Sequence, residues 1–141
     1  MRSQEFQIQE GDCGDYWGVA GGIQDIPAIK KSDSEYIYHP DGQLYTFKDK
    51  TKTGRFCMKA GDAEKPSGEW NTLDLYCHAD TSVHIINGKT VMVLYHSRQL
   101  EGGQELPLTK GKLQIQSEGA EVYYRQIKLQ SINSIPKEVL K

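Results

Sequence analysis

Apolar and polar residues alternate strictly in the first stretch of the chain. In residues 5–10, Phe6 and Ile8 fall on one face, and Glu5, Gln7 and Gln9 fall on the other. A period of two is typical of a β-strand with one buried face. The polar face carries a carboxylate and two amides, which can hydrogen-bond the hydroxyls of a polyol such as a sugar. The alternative is an ordinary solvated face, because most polar strand faces meet only water.

Short runs with the same pattern recur along the chain. They predict strands at residues 35–39, 43–47, 69–77, 81–86, 89–95, 113–116 and 122–129. Asn87 and Gly88 predict a tight hairpin, because both central residues of the turn they favour need positive φ. Residues 11–34, with several glycines and Pro27, are predicted to be a long irregular segment, and residues 134–140 a short helical tail.

Many short strands joined by turns predict an all-β sandwich or barrel. No segment of helical length shows a sustained apolar stripe at helical spacing. A chain of 141 residues is expected to form one domain, residues 1–141.

Charge and cysteine content narrow the function classes. The formal net charge is −2 at pH 7, and the 17 basic and 19 acidic residues are interspersed, which argues against a nucleic-acid or anionic-membrane surface. No apolar run approaches the roughly 20 residues of a membrane span, and the N-terminus of the chain as given has no apolar signal segment. Cys13, Cys57 and Cys77 lack the spacing of a zinc site, so one disulfide with a free thiol and three thiols both stay open.

Several motifs in a fixed order resemble one known family. They are EFQIQ at residues 5–9, GDCGDYW at residues 11–17, GEWN at residues 68–71, VHIINGK at residues 83–89, and PLTKGKLQIQSEGAEVYYR at residues 107–125. Together they resemble the 3-keto-disaccharide hydrolase family, long described as a domain of unknown function. The resemblance covers nearly the whole chain and implies a concanavalin A-like jelly-roll sandwich of antiparallel strands.

In that family, the stretch resembling residues 3–17 lies in the middle of the domain. The resemblance therefore implies that the sandwich is incomplete at its N-terminus and that Met1 is an internal methionine. It also implies an exported protein, periplasmic or secreted, although this chain carries no export signal. Strands left uncovered invite pairing with another chain, so we expect self-association.

The resemblance implies cleavage of glycosides already oxidised at ring carbon 3. The ketone acidifies the proton on carbon 2, a general base removes it, the glycosidic bond breaks by elimination, and water adds back. Candidate bases are Glu5, if burial raises its pKa, and His84, whose side-chain type titrates near neutrality. The alternatives are a solvated Glu5 and a His84 stacked on its neighbours.

Further residues are candidates for binding the substrate, through hydrogen bonds to sugar hydroxyls, stacking on a sugar ring or contact with an oxyanion. They are Gln7, Gln9, Asp15, Tyr16, Trp17, Gln116, Glu118 and Arg125. Tyr16 and Trp17 could instead pin a loop to the core, and Arg125 could form a strand-edge salt bridge. We expect no cofactor and no metal site. A divalent metal at Asp12 and Asp15 is the weaker alternative, because two carboxylates fall short of the six to eight oxygens that calcium takes.

Three function classes stay open. The first is an enzyme that acts on 3-keto-glycosides, the second a non-catalytic carbohydrate-binding module with the same polar face, and the third an inactive or partner-dependent fragment. A base with a strongly perturbed pKa would favour the enzyme, and an aromatic platform alone would favour the binding module.

Overall fold

The structure is a computed structural model that describes residues 3–117 and 119–141. In this part of the chain, ten strands and one 3₁₀ helix follow one another. They are β1 (Ser3–Phe6), β2 (Tyr16–Val19), β3 (Gly22–Lys30), β4 (Tyr36–Tyr38), β5 (Gln43–Phe47), β6 (Phe56–Cys57), β7 (Leu73–His78), β8 (Thr81–Ile86), β9 (Lys89–Glu101), β10 (Gln104–Pro107) and the 3₁₀ helix η1 (Lys137–Leu140).

The strands form two sheets with antiparallel pairing. The large sheet has the order β4-β3-β9-β8-β7, with β5 beside β3 and β10 beside β9. The small sheet has the order β1-β2-β6. The chain is therefore all-β, which confirms the predicted fold class.

Two cores hold the sheets together. The main core is built from apolar residues of both sheets, among them Tyr16 of the small sheet and Ile26 and Val93 of the large one, and the tail packs Val139 against it. A second, smaller core gathers Cys13, Ile86 and Val91, with Phe6, Ala63 and Leu73 packed around it. The strand β8 lies between the two cores, so it is buried on both faces from Ser82 to Ile86.

The prediction of a long irregular segment at residues 11–34 is wrong. The segment contains β2 and β3, and β3 is a central strand that is buried from Gly22 to Ala28. The glycines that suggested a loop form a hairpin turn, in which Ala20 and Gly21 have φ of +50° and +101°. The backbone pairing of β9 with β3 ends at Asp25. Pro27 lies beyond that point, so its missing N–H removes no hydrogen bond from this pairing.

Two predicted strands near the C-terminus do not form. Residues 113–116 and 122–129 have no regular secondary structure. Their apolar side chains stay exposed, with Leu113, Tyr123 and Leu129 at 69%, 72% and 96%. The physical reason is that a strand needs a neighbour for its backbone hydrogen bonds, and no described segment pairs with either run.

Other predictions are confirmed, some with shifted bounds, but the first strand covers Ser3–Phe6 and not the predicted residues 5–10. The strands β5 and β8 have the predicted limits, and Asn87 and Gly88 take φ of +50° and +79° between β8 and β9. The strand β7 begins at Leu73, later than predicted, and β9 runs on to Glu101 into an unpredicted hairpin with β10. The tail forms a 3₁₀ helix that starts after Pro136.

Candidate active site

Three strands of the large sheet, β3, β5 and β9, bring polar and charged side chains together on the face of β3 opposite to Ile26. Ile26 of β3 points into the main core, so its neighbour Asp25 points to the other face. Thr46 of β5 is the register partner of Asp25 and shares that face. His96 and Arg98 of β9 complete the group, and we call these four residues the Asp25 cluster.

Asp25 lies at the centre of the cluster and accepts three hydrogen bonds. Its Oδ1 accepts from Thr46 Oγ1 at 2.8 Å and from Arg98 Nη2 at 2.7 Å. Its Oδ2 is 2.8 Å from His96 Nδ1. The carboxylate side chain is only 10% exposed, so nearly all of its solvation comes from these partners.

A β-bulge at His96 creates this geometry. Asp25 pairs with Tyr95 and Ile23 with Arg98, so three steps along β9 match two steps along β3. The extra residue is His96, whose φ of +53° is uncommon for a residue other than glycine. Bulges re-aim side chains and are frequent beside active sites. Here the bulge directs the imidazole onto the Asp25 carboxylate.

The charges around Asp25 keep it ionised. Burial by itself would raise the pKa of Asp25, but the hydrogen bonds from Thr46, His96 and Arg98 outweigh burial and hold the pKa below its ordinary value. Glu105 continues the network, with its carboxylate 2.7 Å from Lys48 Nζ and 3.4 Å from Arg98 Nε. At that second distance the contact is an ion pair without hydrogen-bond geometry.

The hydrogen bond to Asp25 also sets the tautomer of His96. An ionised carboxylate can only accept, so Nδ1 must donate, and the neutral ring then carries its free lone pair on Nε2. The His96 side chain is 54% exposed. The cluster therefore offers a proton acceptor to solvent, oriented by a buried carboxylate.

A buried polar layer lies beneath the bulge, on the other face of the sheet. Ser97 Oγ is 3.0 Å from side-chain oxygens of both Gln4 and Gln24, and Gln4 reaches it from β1 of the small sheet. The Ser97 hydroxyl can donate its one hydrogen to only one of these two oxygens at a time, so Gln4 and Gln24 share it as acceptors. It ties the residue between His96 and Arg98 to both sheets.

Two of the predicted site residues lie together on a different surface, the small sheet. Glu5 is the register partner of Trp17, and Trp17 is the register partner of Phe56. The Trp17 and Phe56 rings are 4.4 Å apart, and the Arg55 guanidinium lies 5.5 Å from the Trp17 ring centroid. Phe6, the neighbour of Glu5, stacks inward on His84, so this row faces away from the cores. The predicted parity of Glu5 and Phe6 is confirmed.

The structure shows the alternative for His84, a ring that stacks on its neighbours. The residue is 3% exposed, its ring stacks on Phe6 at 4.1 Å, and its Nδ1 is 3.0 Å from the Gly14 carbonyl oxygen. Burial lowers the pKa of His84 to about 4. The ring lies inside the protein because β8 is covered on both faces.

Asp15 and Tyr16 are also buried, so neither is exposed for contact with a sugar. Asp15 is 4% exposed and accepts a hydrogen bond from the Lys59 amide at 2.8 Å. Burial raises the pKa of Asp15 above its ordinary value. Tyr16 is fully buried in the main core, where its ring lies edge-on to Phe47 at 6.4 Å. The second alternative for Tyr16, a ring packed into the core, is correct.

The remaining predicted residues are dispersed. Gln7 and Gln9 follow β1, and Gln7 Nε2 donates a hydrogen bond to Gln9 Oε1 at 3.4 Å. Gln116 is exposed in a segment without regular structure, and its carbonyl accepts from a tyrosine hydroxyl. Arg125 places its guanidinium 3.9 Å from the Trp70 ring centroid, which is a cation–π contact.

Glu118 lies outside the described residues. Asp12 is exposed, whereas Asp15 is buried and bonded to backbone. Within residues 3–117 and 119–141, no three His, Cys, Asp or Glu side chains are grouped so that they could hold a metal ion. No helix in the same ranges is long and apolar enough to cross a membrane.

Fold and site together define an all-β sandwich with a histidine–aspartate pair on the exposed face of a sheet. The family of 3-keto-alpha-glucoside-1,2-lyase-like domains matches residues 1–130 of the chain. The chain therefore belongs to this family. No curated protein and no solved structure matches it.

Sequence reasoning missed the whole Asp25 cluster. Asp25 lies in the segment that was predicted to be irregular, and the predicted strand ended at Tyr95, one residue before His96. One signal was present: Ile23 to Ile29 is rich in apolar residues, as expected of a strand buried in a sheet centre. The bulge itself has no signature in this sequence, because its extra residue is a histidine and not a glycine.

Proposed function

We propose that the protein cleaves glycosides that carry a ketone at ring carbon 3, and that the Asp25 cluster is its catalytic centre. The observation that supports this proposal is the His96–Asp25 pair at the β-bulge, which presents an oriented imidazole to solvent. Membership of the 3-keto-alpha-glucoside-1,2-lyase-like family supports the substrate class.

The reaction needs a base, because the ketone makes the proton on carbon 2 acidic. Removal of that proton leaves an enolate whose negative charge is delocalised onto the ketone oxygen. Electrons then flow back to break the bond between carbon 1 and the leaving-group oxygen, which takes up a proton. Water adds to the resulting double bond and completes a net hydrolysis.

His96 is the proposed base, acting through Nε2. An imidazole is the usual general base near neutral pH, and a carboxylate behind it fixes its tautomer and favours the imidazolium that forms. Asp25 is the proposed positioning residue, held ionised by its three donors. Arg98, with a side chain 25% exposed beside Asp25, supplies positive charge where the enolate develops.

Glu5 is the alternative base, and the row of Glu5, Trp17 and Phe56 favours a second candidate function. Sugar rings stack on aromatic faces, and a carboxylate beside them can accept hydroxyl hydrogens. Half-buried aromatic side chains on a sheet surface suit binding more than proton transfer. The second candidate is therefore a carbohydrate-binding module that uses the small sheet.

The first experiment is a comparison of His96→Gln with the wild-type chain on a 3-keto-glucoside that has a chromogenic leaving group. We expect kcat/KM to fall about 100-fold or more, because general base catalysis contributes roughly 10²–10⁴-fold. His39→Gln is the matched control, since His39 is exposed in a turn outside the cluster. Glu5→Gln tests the alternative base in the same assay.

A second readout follows the proton itself. In deuterated solvent, the wild-type chain should exchange the hydrogen on carbon 2 of a 3-keto sugar that has no leaving group, and His96→Gln should not. Loss of exchange in Glu5→Gln alone would assign the base to Glu5. Sugar binding that needs Trp17, without cleavage or exchange in any variant, would replace the enzyme with the binding module.

A further inference from the structure

The edge strand β7 is open in this structure. It runs from Leu73 to His78 and pairs with β8 on one side, and no described strand pairs with its other side. With six residues, it is the longest of the described strands that have a single partner strand. Its outward backbone groups therefore form a template for another strand.

The sequence of β7 lacks the usual protection of an edge. Its six residues LDLYCH include no lysine, arginine, proline or glycine. Leu75 is 41% exposed and Cys77 is also exposed. By contrast, the edge strand β10 has four residues and ends at Pro107, and β4 has three residues.

We infer that β7 pairs with β7 of a second copy of this chain, antiparallel, about a two-fold axis through Tyr76. In this register Tyr76 lies opposite Tyr76 of the other copy, Asp74 opposite His78, and Leu75 opposite Cys77. Each cross-strand pair then joins side chains of like character or a carboxylate with an imidazole that can donate to it. Because the axis is two-fold, the Asp74–His78 contact and the Leu75–Cys77 contact each occur twice in the dimer.

The same register keeps the Tyr76 faces of the two copies on one side of the joined sheet. Asp74, Tyr76 and His78 share the face on which Tyr76 packs against the main core, and Leu75 and Cys77 share the other. A register shifted by one residue would put the two Tyr76 faces on opposite sides of the joined sheet. A shift by two residues in one direction would bring Asp74 opposite Asp80, two like charges, and in the other would leave Asp74 without His78.

A cross-linking experiment tests the register directly. Residues that lie opposite each other bring their Cβ atoms close to disulfide distance, whereas diagonal neighbours are about 7–8 Å apart. Leu75→Cys, oxidised with copper phenanthroline, should therefore give a covalent dimer through Cys77 of the other copy. The wild-type chain should not form one, since its two Cys77 residues are diagonal, and Cys13 and Cys57 are buried.

Sedimentation equilibrium tests the energetics. Asp74→Lys should raise the dimer dissociation constant at least about tenfold, because two carboxylate–imidazole pairs are lost. Adding His78→Glu should restore most of the affinity by reversing the pairs. Asp49→Lys makes the same charge change in a solvated loop and should have no effect.

Three results would overturn the inference. The first is a wild-type chain that stays monomeric at its highest soluble concentration. The second is a dimer whose dissociation constant does not respond to Asp74→Lys. The third is a covalent dimer of the wild-type chain through Cys77 alone, which would require a different register.

Discussion

The buried His84 predicts that acid weakens the protein well above the pH at which carboxylates titrate. Burial lowers the pKa of His84 from 6.5 to about 4, so the folded chain keeps this ring neutral over that interval. The unfolded chain exposes the ring, which then binds a proton below about pH 6.5. Protonation therefore favours the unfolded state, and stability falls as pH falls from about 6.5 to about 4.

The magnitude follows from the size of the pKa shift. One pKa unit corresponds to about 1.4 kcal/mol, so the full loss at His84 is about 3 kcal/mol. The same linkage gives about 2 kcal/mol between pH 7.5 and pH 5. With a urea m-value of about 2 kcal/mol/M, the unfolding midpoint should shift by about 1 M.

The assay is urea unfolding at pH 7.5 and pH 5 on the wild-type chain and on His84→Gln. The amide of glutamine can still donate to the Gly14 carbonyl but does not titrate. The variant loses the stack on Phe6 and should be less stable at both pH values. Only the wild-type chain should show the additional loss of about 2 kcal/mol at pH 5.

The comparison between the two proteins removes the other titrating groups from the result. The pKa of Asp15 is raised by burial, so its contribution has the opposite sign, but it is present in both proteins. If His84→Gln loses as much stability as the wild-type chain between pH 7.5 and pH 5, the reasoning about His84 is refuted. A ring titration near 6.5 in the folded chain by NMR would refute it independently.

Three further predictions concern the surroundings of the second core and the buried thiol Cys57 of the main core. Gly14→Ala should lower the free energy of unfolding by about 1–3 kcal/mol in urea titrations, because a Cβ would lie 2.8 Å from Val91 Cγ2 and the φ is +107°; unchanged stability would contradict this contact. Glu64→Gln should cost about 1–3 kcal/mol in the same assay, since both carboxylate oxygens accept backbone N–H bonds and an amide can replace only one. Burial raises the pKa of Cys13 to about 12, and Cys57 is fully buried, so both thiols should resist maleimide until the chain unfolds, as followed by mass spectrometry.

The local pattern of apolar, polar and turn residues was sufficient to predict the strands that pair with their neighbours in sequence. The strands β7, β8 and β9 form a meander, and the positive φ values of Asn87 and Gly88 between two of them follow from residue type alone. The strand β3 was missed because its both-sided burial removes the alternation on which the prediction relied. The runs at residues 113–116 and 122–129 have the alternation but no described partner, so pattern alone overpredicted them.

The site was harder to predict than the fold, because its geometry depends on one inserted residue. In a strictly alternating strand, Tyr95 and Arg98 are three residues apart and point to opposite faces. The bulge at His96 places them opposite Asp25 and Ile23, two positions of β3 that share a face. The 2.7 Å contact between Arg98 and Asp25, 73 residues apart in sequence, therefore depends on a local irregularity that alternation cannot express. The same irregularity strains the backbone of His96, and strain of this kind persists only where the surrounding structure holds it, here through Asp25 on one face and the Ser97 layer on the other.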